Sequence, residues 1–129
     1  MRPRYADLFR RMRDPDPVLA DAAFDAVLFD RAEAVPDIIE CYQKSKKDDE
    51  MRFDMVQLLG FSGAVACVAP LIEALDDKSA RVRAEACRSL EDLRATATVP
   101  ALESRLTDVD ESVRIAAQEA LDAIRSPET

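Results

Sequence analysis

Residues 68–98 and 99–129 are two copies of one unit, each 31 residues long and joined without a gap. They coincide at Val68/Val99, Leu71/Leu102, Leu75/Leu106, Asp77/Asp108, Val82/Val113, Arg83/Arg114, Ala86/Ala117, Leu90/Leu121 and Leu93/Ile124. A tandem period of this size marks a supersecondary unit that cannot bury its apolar side alone and does so by stacking on its neighbours. Such a stack is nearly one-dimensional, and its long faces make binding the default function before any chemistry is considered. In the second half of each copy Val82, Ala86, Leu90, Leu93 and Val113, Ala117, Leu121, Ile124 return at three- and four-residue steps, the period of an α-helix.

Two fainter copies precede this pair. Ala34-Val35-Pro36 matches Val68-Ala69-Pro70 and Thr98-Val99-Pro100, and each triplet is followed by an apolar pair: Ile38/Tyr42, Leu71/Leu75, Leu102/Leu106. Proline in a first turn forfeits no internal hydrogen bond, so each triplet opens a first helix. Met51-Arg52 stands where Val82-Arg83 and Val113-Arg114 stand, and Met55, Leu58 and Leu59 continue its apolar face. At the start, Asp14-Pro15-Asp16-Pro17 opens a helix whose Leu19, Ala22, Ala23, Ala26 and Val27 overlay Val113, Ala116, Ala117, Ala120 and Leu121, with residues 3–13 as its partner. The expectation is one all-α domain over 1–129, an α-solenoid (α-α superhelix) of four helix-turn-helix units near 3–30, 34–62, 66–94 and 97–125. Eight helices of eight to fourteen residues follow, with Ser79 or Asp77 and Asp110 or Asp108 as N-caps of the last two second helices.

Composition agrees with helices: 2 glycines, 5 phenylalanines, no tryptophan and 34% charged residues argue against a sheet protein. A formal charge of −8 repels phosphate backbones and anionic lipid, so neither nucleic acid nor a membrane is the expected partner. The segment MRPRYADLFRRMRDPDP has no apolar core of a leader, no apolar run approaches the length of a bilayer span, and a cytoplasmic location is expected. Cys41, Cys67 and Cys87 are odd in number, widely spaced and each inside a predicted helix, which fits buried reduced thiols.

Histidine is absent, which removes the commonest general base at neutral pH and the commonest metal ligand. The carboxylate groups Asp76-Asp77 and Asp48-Asp49-Glu50 fall in predicted turns, where charges cap helices or meet solvent. Asp108, Asp110, Ser112 and Glu119 imitate a calcium loop, but the sixth position, which needs glycine, is Val113 and starts a helix. No enzyme, metal or cofactor is expected on these grounds.

The pattern D-x-x-x-x-V-R-x-x-A-x-x-x-L, at Asp77–Leu90 and Asp108–Leu121, resembles the HEAT repeat, and in particular the short HEAT-like repeats of the phycobiliprotein lyase type. The resemblance implies a solenoid and leaves function open, since such proteins include scaffolds, adaptors, bilin lyase subunits and DNA glycosylases. It also implies a structural ladder between repeats made by the turn Asp and the Arg after the Val, here Asp77/Arg83 and Asp108/Arg114. The second unit keeps Arg52 but has Lys46 at the Asp position, and the first has Ala20 in place of Arg, so the ladder is expected complete only in the C-terminal half.

In HEAT-like stacks the second helices line the concave face. Alignment of the units then groups Asp21/Phe53/Ala84/Ile115, Phe24/Val56/Cys87/Gln118, Asp25/Gln57/Arg88/Glu119 and Leu28/Gly60/Glu91/Asp122. Phe24, Leu28, Phe53 and Val56 form either an apolar partner-binding patch rimmed by Asp21, Asp25, Asp54, Arg52 and Arg88, or part of the core, because an offset of one residue turns a helical position by about 100°. Arg2, Arg4, Arg10, Arg11 and Arg13 make the first helix basic and amphipathic, with a terminal cap as the plainer role. The leading expectation is a non-enzymatic scaffold or adaptor that binds another protein on its inner face, as a monomer or a weak homodimer through solenoid ends. The alternatives are an acidic inhibitor or immunity-type protein steered to a basic toxin or enzyme, and a lyase or chaperone-like subunit acting with a partner chain.

Overall fold

The computed structural model describes residues 1–126, so the last three positions of the second copy lie outside the described residues. Eight α-helices and no strand occur among them: α1 (Pro3–Arg11), α2 (Pro17–Phe29), α3 (Val35–Lys44), α4 (Asp49–Ser62), α5 (Val68–Ala74), α6 (Ala80–Leu93), α7 (Val99–Glu103) and α8 (Glu111–Arg125). Short 3-10 turns, Val65–Cys67 and Thr96–Thr98, lead into α5 and α7. The helices pair as α1/α2, α3/α4, α5/α6 and α7/α8, and α4, α6 and α8 pack side by side as a row of second helices, with α2 less extensively against α4. The chain is an all-α solenoid.

Caps explain the helix starts. The Asp16 carboxylate accepts the Val18 N–H at 2.9 Å, Asp48 that of Met51 at 3.0 Å, and Asp110 those of Ser112 and Val113 at 2.9 and 3.3 Å, while Ser79 Oγ accepts the Val82 N–H at 3.4 Å. Of the two candidates before α6 and α8, the nearer residue is the cap; Asp77 and Asp108 are free for another task. Gly63, at φ 69°, ends α4 in the left-handed region that glycine enters without a Cβ penalty.

α5 and α7, at 7 and 5 residues, are shorter than the sequence period suggests. In the turns that follow them a carbonyl accepts from the arginine of the same unit: Arg83 Nη1 donates to the Asp77 carbonyl at 2.9 Å and Arg114 Nη1 to the Asp108 carbonyl at 2.7 Å.

The core runs the length of the stack, through Val27, Ile38, Met55, Leu58, Leu71, Leu90, Leu102 and Leu121, all fully buried. The α4 backbone at Gly60 packs on Ser89 of α6, where a Cβ would lie 2.4 Å from Ser89 Oγ and 2.7 Å from Ser89 Cβ. Ser89 Oγ donates to the Val56 carbonyl across the same contact at 3.3 Å. α1 is a packed cap: Tyr5, Phe9 and Met12 are buried. Its arginines are spent in ion pairs, Arg2 with Asp37 and Glu33, Arg4 with Asp30, Arg10 and Arg11 with Asp7, and Arg13 with Asp48 and Glu50. No helix among the described residues is long and apolar enough to cross a membrane.

Candidate functional site

The Asp/Arg ladder ties α4 to the turn before α6, and α6 to the turn before α8. Each rung joins an arginine to the turn aspartate 25 residues on, in the following unit. Arg52 Nε and Nη2 donate to Asp77 Oδ2 and Oδ1 at 2.9 and 3.1 Å, and Arg83 Nε and Nη2 to Asp108 Oδ2 and Oδ1 at 2.9 and 3.0 Å. Both are bidentate forks, the strongest form of this pair. Within a unit the six-residue spacing is bridged through the backbone, so Lys46 serves where an aspartate was expected: its carbonyl accepts from Arg52 Nη1 at 2.9 Å. The ladder thus begins one unit earlier than the repeat pattern suggests.

This geometry corrects two of the proposed contact residues. Arg52 is 4% exposed and paired with both Asp77 and Asp49, and Val56 is 0% exposed; neither lies on a binding surface. The aligned positions 53, 56 and 60 face the next unit: Phe53 lies under the Arg81 guanidinium at 3.9 Å, and Gly60 touches Ser89. Their equivalents in α6, Ala84 and Cys87, are 2% and 0% exposed in the same way, whereas in α8 the corresponding Ile115 is 51% exposed. In α4 and α6 these positions are therefore part of the seam between successive units.

That surface is a row of shallow grooves. One of about 510 Å³ separates α2 from α4 and is lined by Ala20, Asp21 and Phe24 opposite Glu50, Asp54 and Gln57, with Arg13 beside them. A second of about 490 Å³ lies between α6 and the start of α8, lined by Phe53, Arg81, Ala84, Glu85, Arg88 and Asp110. Of the sequence candidates, Phe24 lines the first groove and Phe53 and Arg88 the second, while Leu28 is half-buried against the core. Arg88 pairs with Glu85 at 3.1 Å.

The titration of Asp54 is the groove's distinctive property. Burial, and then the neighbouring Glu50 charge, push its carboxyl up to about 6. An unfolded aspartate titrates near about 3.9, so between about pH 4 and 6 the folded chain holds a proton the unfolded chain has lost, and stability falls as pH rises through that window. Asp54→Asn is expected to stabilise the fold by about 1 kcal/mol near pH 8, the shift being discounted for partial exposure, and by little near pH 4. Urea unfolding at the two pH values checks this; equal effects at both would show that the charge carries no cost. Sequence reasoning named Asp54 only as a rim residue, because its burial depends on how α2 meets α4.

The cysteines are buried and free, and they stay out of the grooves. Burial pushes the Cys87 thiol up to about 11 and raises that of Cys41, so both are held as unreactive thiols. Asp108 and Asp110 of the calcium-like cluster are occupied by Arg83 and by the start of α8.

Residues 68–129 match the family model of HEAT repeats. No curated protein matches the chain. Among solved structures, the complex of CpcE and CpcF of phycocyanin lyase from Nostoc sp. PCC7120 is similar in fold, with a TM-score of 0.55 at 18% identity over 95% of this chain. The chain spans 65% of that neighbour's length. The HEAT resemblance and the solenoid architecture are thereby borne out. One expectation is overturned: a solenoid of this kind occurs in a lyase complex, so the lack of histidine does not make the chain a non-enzyme.

Proposed function

From the HEAT repeats that fill residues 68–129, we propose that the chain is a lyase- or chaperone-like subunit that works jointly with a partner chain across its inner face. The observation that supports this most is the likeness of 95% of the chain to a two-chain lyase complex. The grooves themselves agree with shared work: they are open, mixed in polarity and lack an enclosed pocket, so a second chain is needed to exclude water. In this proposal Phe24, Phe53 and Arg88 contact the partner, with Leu28 supporting Phe24 from behind. Asp54 supplies a carboxyl that exchanges its proton near neutrality at the edge of the joint site. A salt-sensitive inhibitor of a basic protein is the second reading, supported by the charge of −8.

The test is co-expression of the chain with a second HEAT-like subunit, a phycocyanin-type acceptor protein and its bilin. The proposal expects the two subunits to co-purify and bilin absorbance on the acceptor to require both, with Phe24→Glu cutting both signals. Absorbance that does not depend on this chain, or subunits that do not co-purify, would reject it.

A further inference from the structure

The two ends of the stack are complementary in register. At the C-terminal end, Arg114 holds the Asp108 carbonyl as Arg83 holds that of Asp77, but it has no carboxylate partner among the described residues. At the N-terminal end, Asp14 is the turn aspartate of the first unit. Its Oδ1 accepts the Asp16 N–H at 2.8 Å, as Asp77 accepts that of Ser79 and Asp108 that of Asp110, both at 2.9 Å. In those two the same carboxylate takes the fork of the preceding arginine; Asp14 pairs with no cation among the described residues.

The apolar surfaces around these groups match as well. Val113, Ala116 and Ala120 of α8 are 0–2% exposed where α6 packs beside them. Their equivalents in the first unit, Leu19, Ala22 and Ala26, line an open groove of about 370 Å³ that also includes Asp14, and Leu19 is 54% exposed. At the opposite end α8 shows Ile115, 51% exposed, at the position where α6 has the buried Ala84. The N-terminal face is thus built like the side of α8 that α6 covers; the C-terminal face keeps the arginine and an apolar residue of the covering side, with Gln118, which donates to Asp122 at 2.9 Å, where α6 has the buried Cys87.

We propose that a second copy of this chain docks head to tail on the first. Arg114 of one copy forks onto Asp14 of the next, and Ile115 enters the Leu19/Ala22/Ala26 groove, repeating the internal seam between molecules. Such an interface joins unlike surfaces and does not close on itself by a two-fold axis, so growth continues beyond the dimer unless a ring forms. The pairing does not depend on the lyase-type reading.

Sedimentation equilibrium from about 10 μM to about 1 mM, the range of weak assemblies, tests it. The wild type is expected to gain mass with concentration past the dimer. Asp14→Ala, Arg114→Ala and the surface change Ile115→Glu should each weaken association about tenfold or more. An equimolar mixture of Asp14→Ala and Arg114→Ala retains one native interface and should stop at a dimer, and the exchanged pair Asp14→Arg with Arg114→Asp in one chain should restore growth. A wild type that stays monomeric at about 1 mM, one that stops at a dimer, or single variants that associate like the wild type would each overturn the proposal.

Discussion

Asp77→Ala is expected to destabilise the fold by about 3 kcal/mol, the lower end for breaking a buried pair, because it removes the fork from a buried guanidinium and leaves it only the more exposed Asp49 as a carboxylate partner. The Arg52 and Asp77 side chains are 5% and 4% exposed. Asp77 also accepts the Tyr42 hydroxyl at 2.7 Å and the Ser79 N–H at 2.9 Å, so one truncation unmakes a fork, a phenol contact and part of a turn. Arg52→Lys is expected to recover little, since an ammonium cannot reproduce two parallel bonds and still reach the Ser45 and Lys46 carbonyls. Burial opposes ionisation of Asp77, but the bonds from Arg52, Tyr42 and the Ser79 N–H outweigh it and hold the carboxyl below the usual aspartate range. Its stabilisation is therefore complete above the unfolded aspartate value and is lost as pH falls through the lower folded value. Urea titrations of wild type, Asp77→Ala and Asp108→Ala near neutral pH measure the effect. A loss below about 1 kcal/mol for Asp77→Ala would mean that the rung is no better than a surface pair.

Gly60→Leu is expected to cost about 3 kcal/mol, toward the upper end for overpacking a filled interface. The added Cβ meets Ser89 Oγ and Cβ at 2.4 and 2.7 Å, and Ser89 sits on the rigid middle of α6, so α4 and α6 must part. Gly60→Ala sets the same clash against a helix-propensity gain of about 1 kcal/mol and should fall between the two. Ser89→Gly in the Gly60→Ala background should return part of the loss, and a double-mutant cycle with non-zero coupling identifies the contact. If Gly60→Leu unfolds at the wild-type urea midpoint, α4 and α6 do not approach as closely as described.

Much of the architecture was readable in one dimension, and the reason lies in repetition. Val82/Val113 and Leu90/Leu121 recur at helical spacing in two copies, and a pattern stated twice distinguishes core positions from chance. The caps were readable to within two residues: Ser79 and Asp110 face the first helical N–H groups, a local geometry set by the chain itself. The candidate site was much less legible. Phe24, Leu28, Phe53 and Val56 were grouped by alignment alone, and alignment gives the phase of a residue within its unit but not the direction in which the next unit lies.

The sequence by itself therefore determined the helices, their pairing into repeated units and the formal charge of −8, all of which follow from short-range periodicity and composition. Tertiary structure decided that Arg52 and Arg83 fork onto the aspartate 25 residues on while holding the turn carbonyl six residues back, and that Val56 and Gly60 belong to the seam. It also decided that burial between packed helices raises the Asp54 carboxyl. These outcomes depend on the angle at which one unit stacks on the next. That angle is set by many side chains meeting across the seam, and spacing along the chain does not encode it.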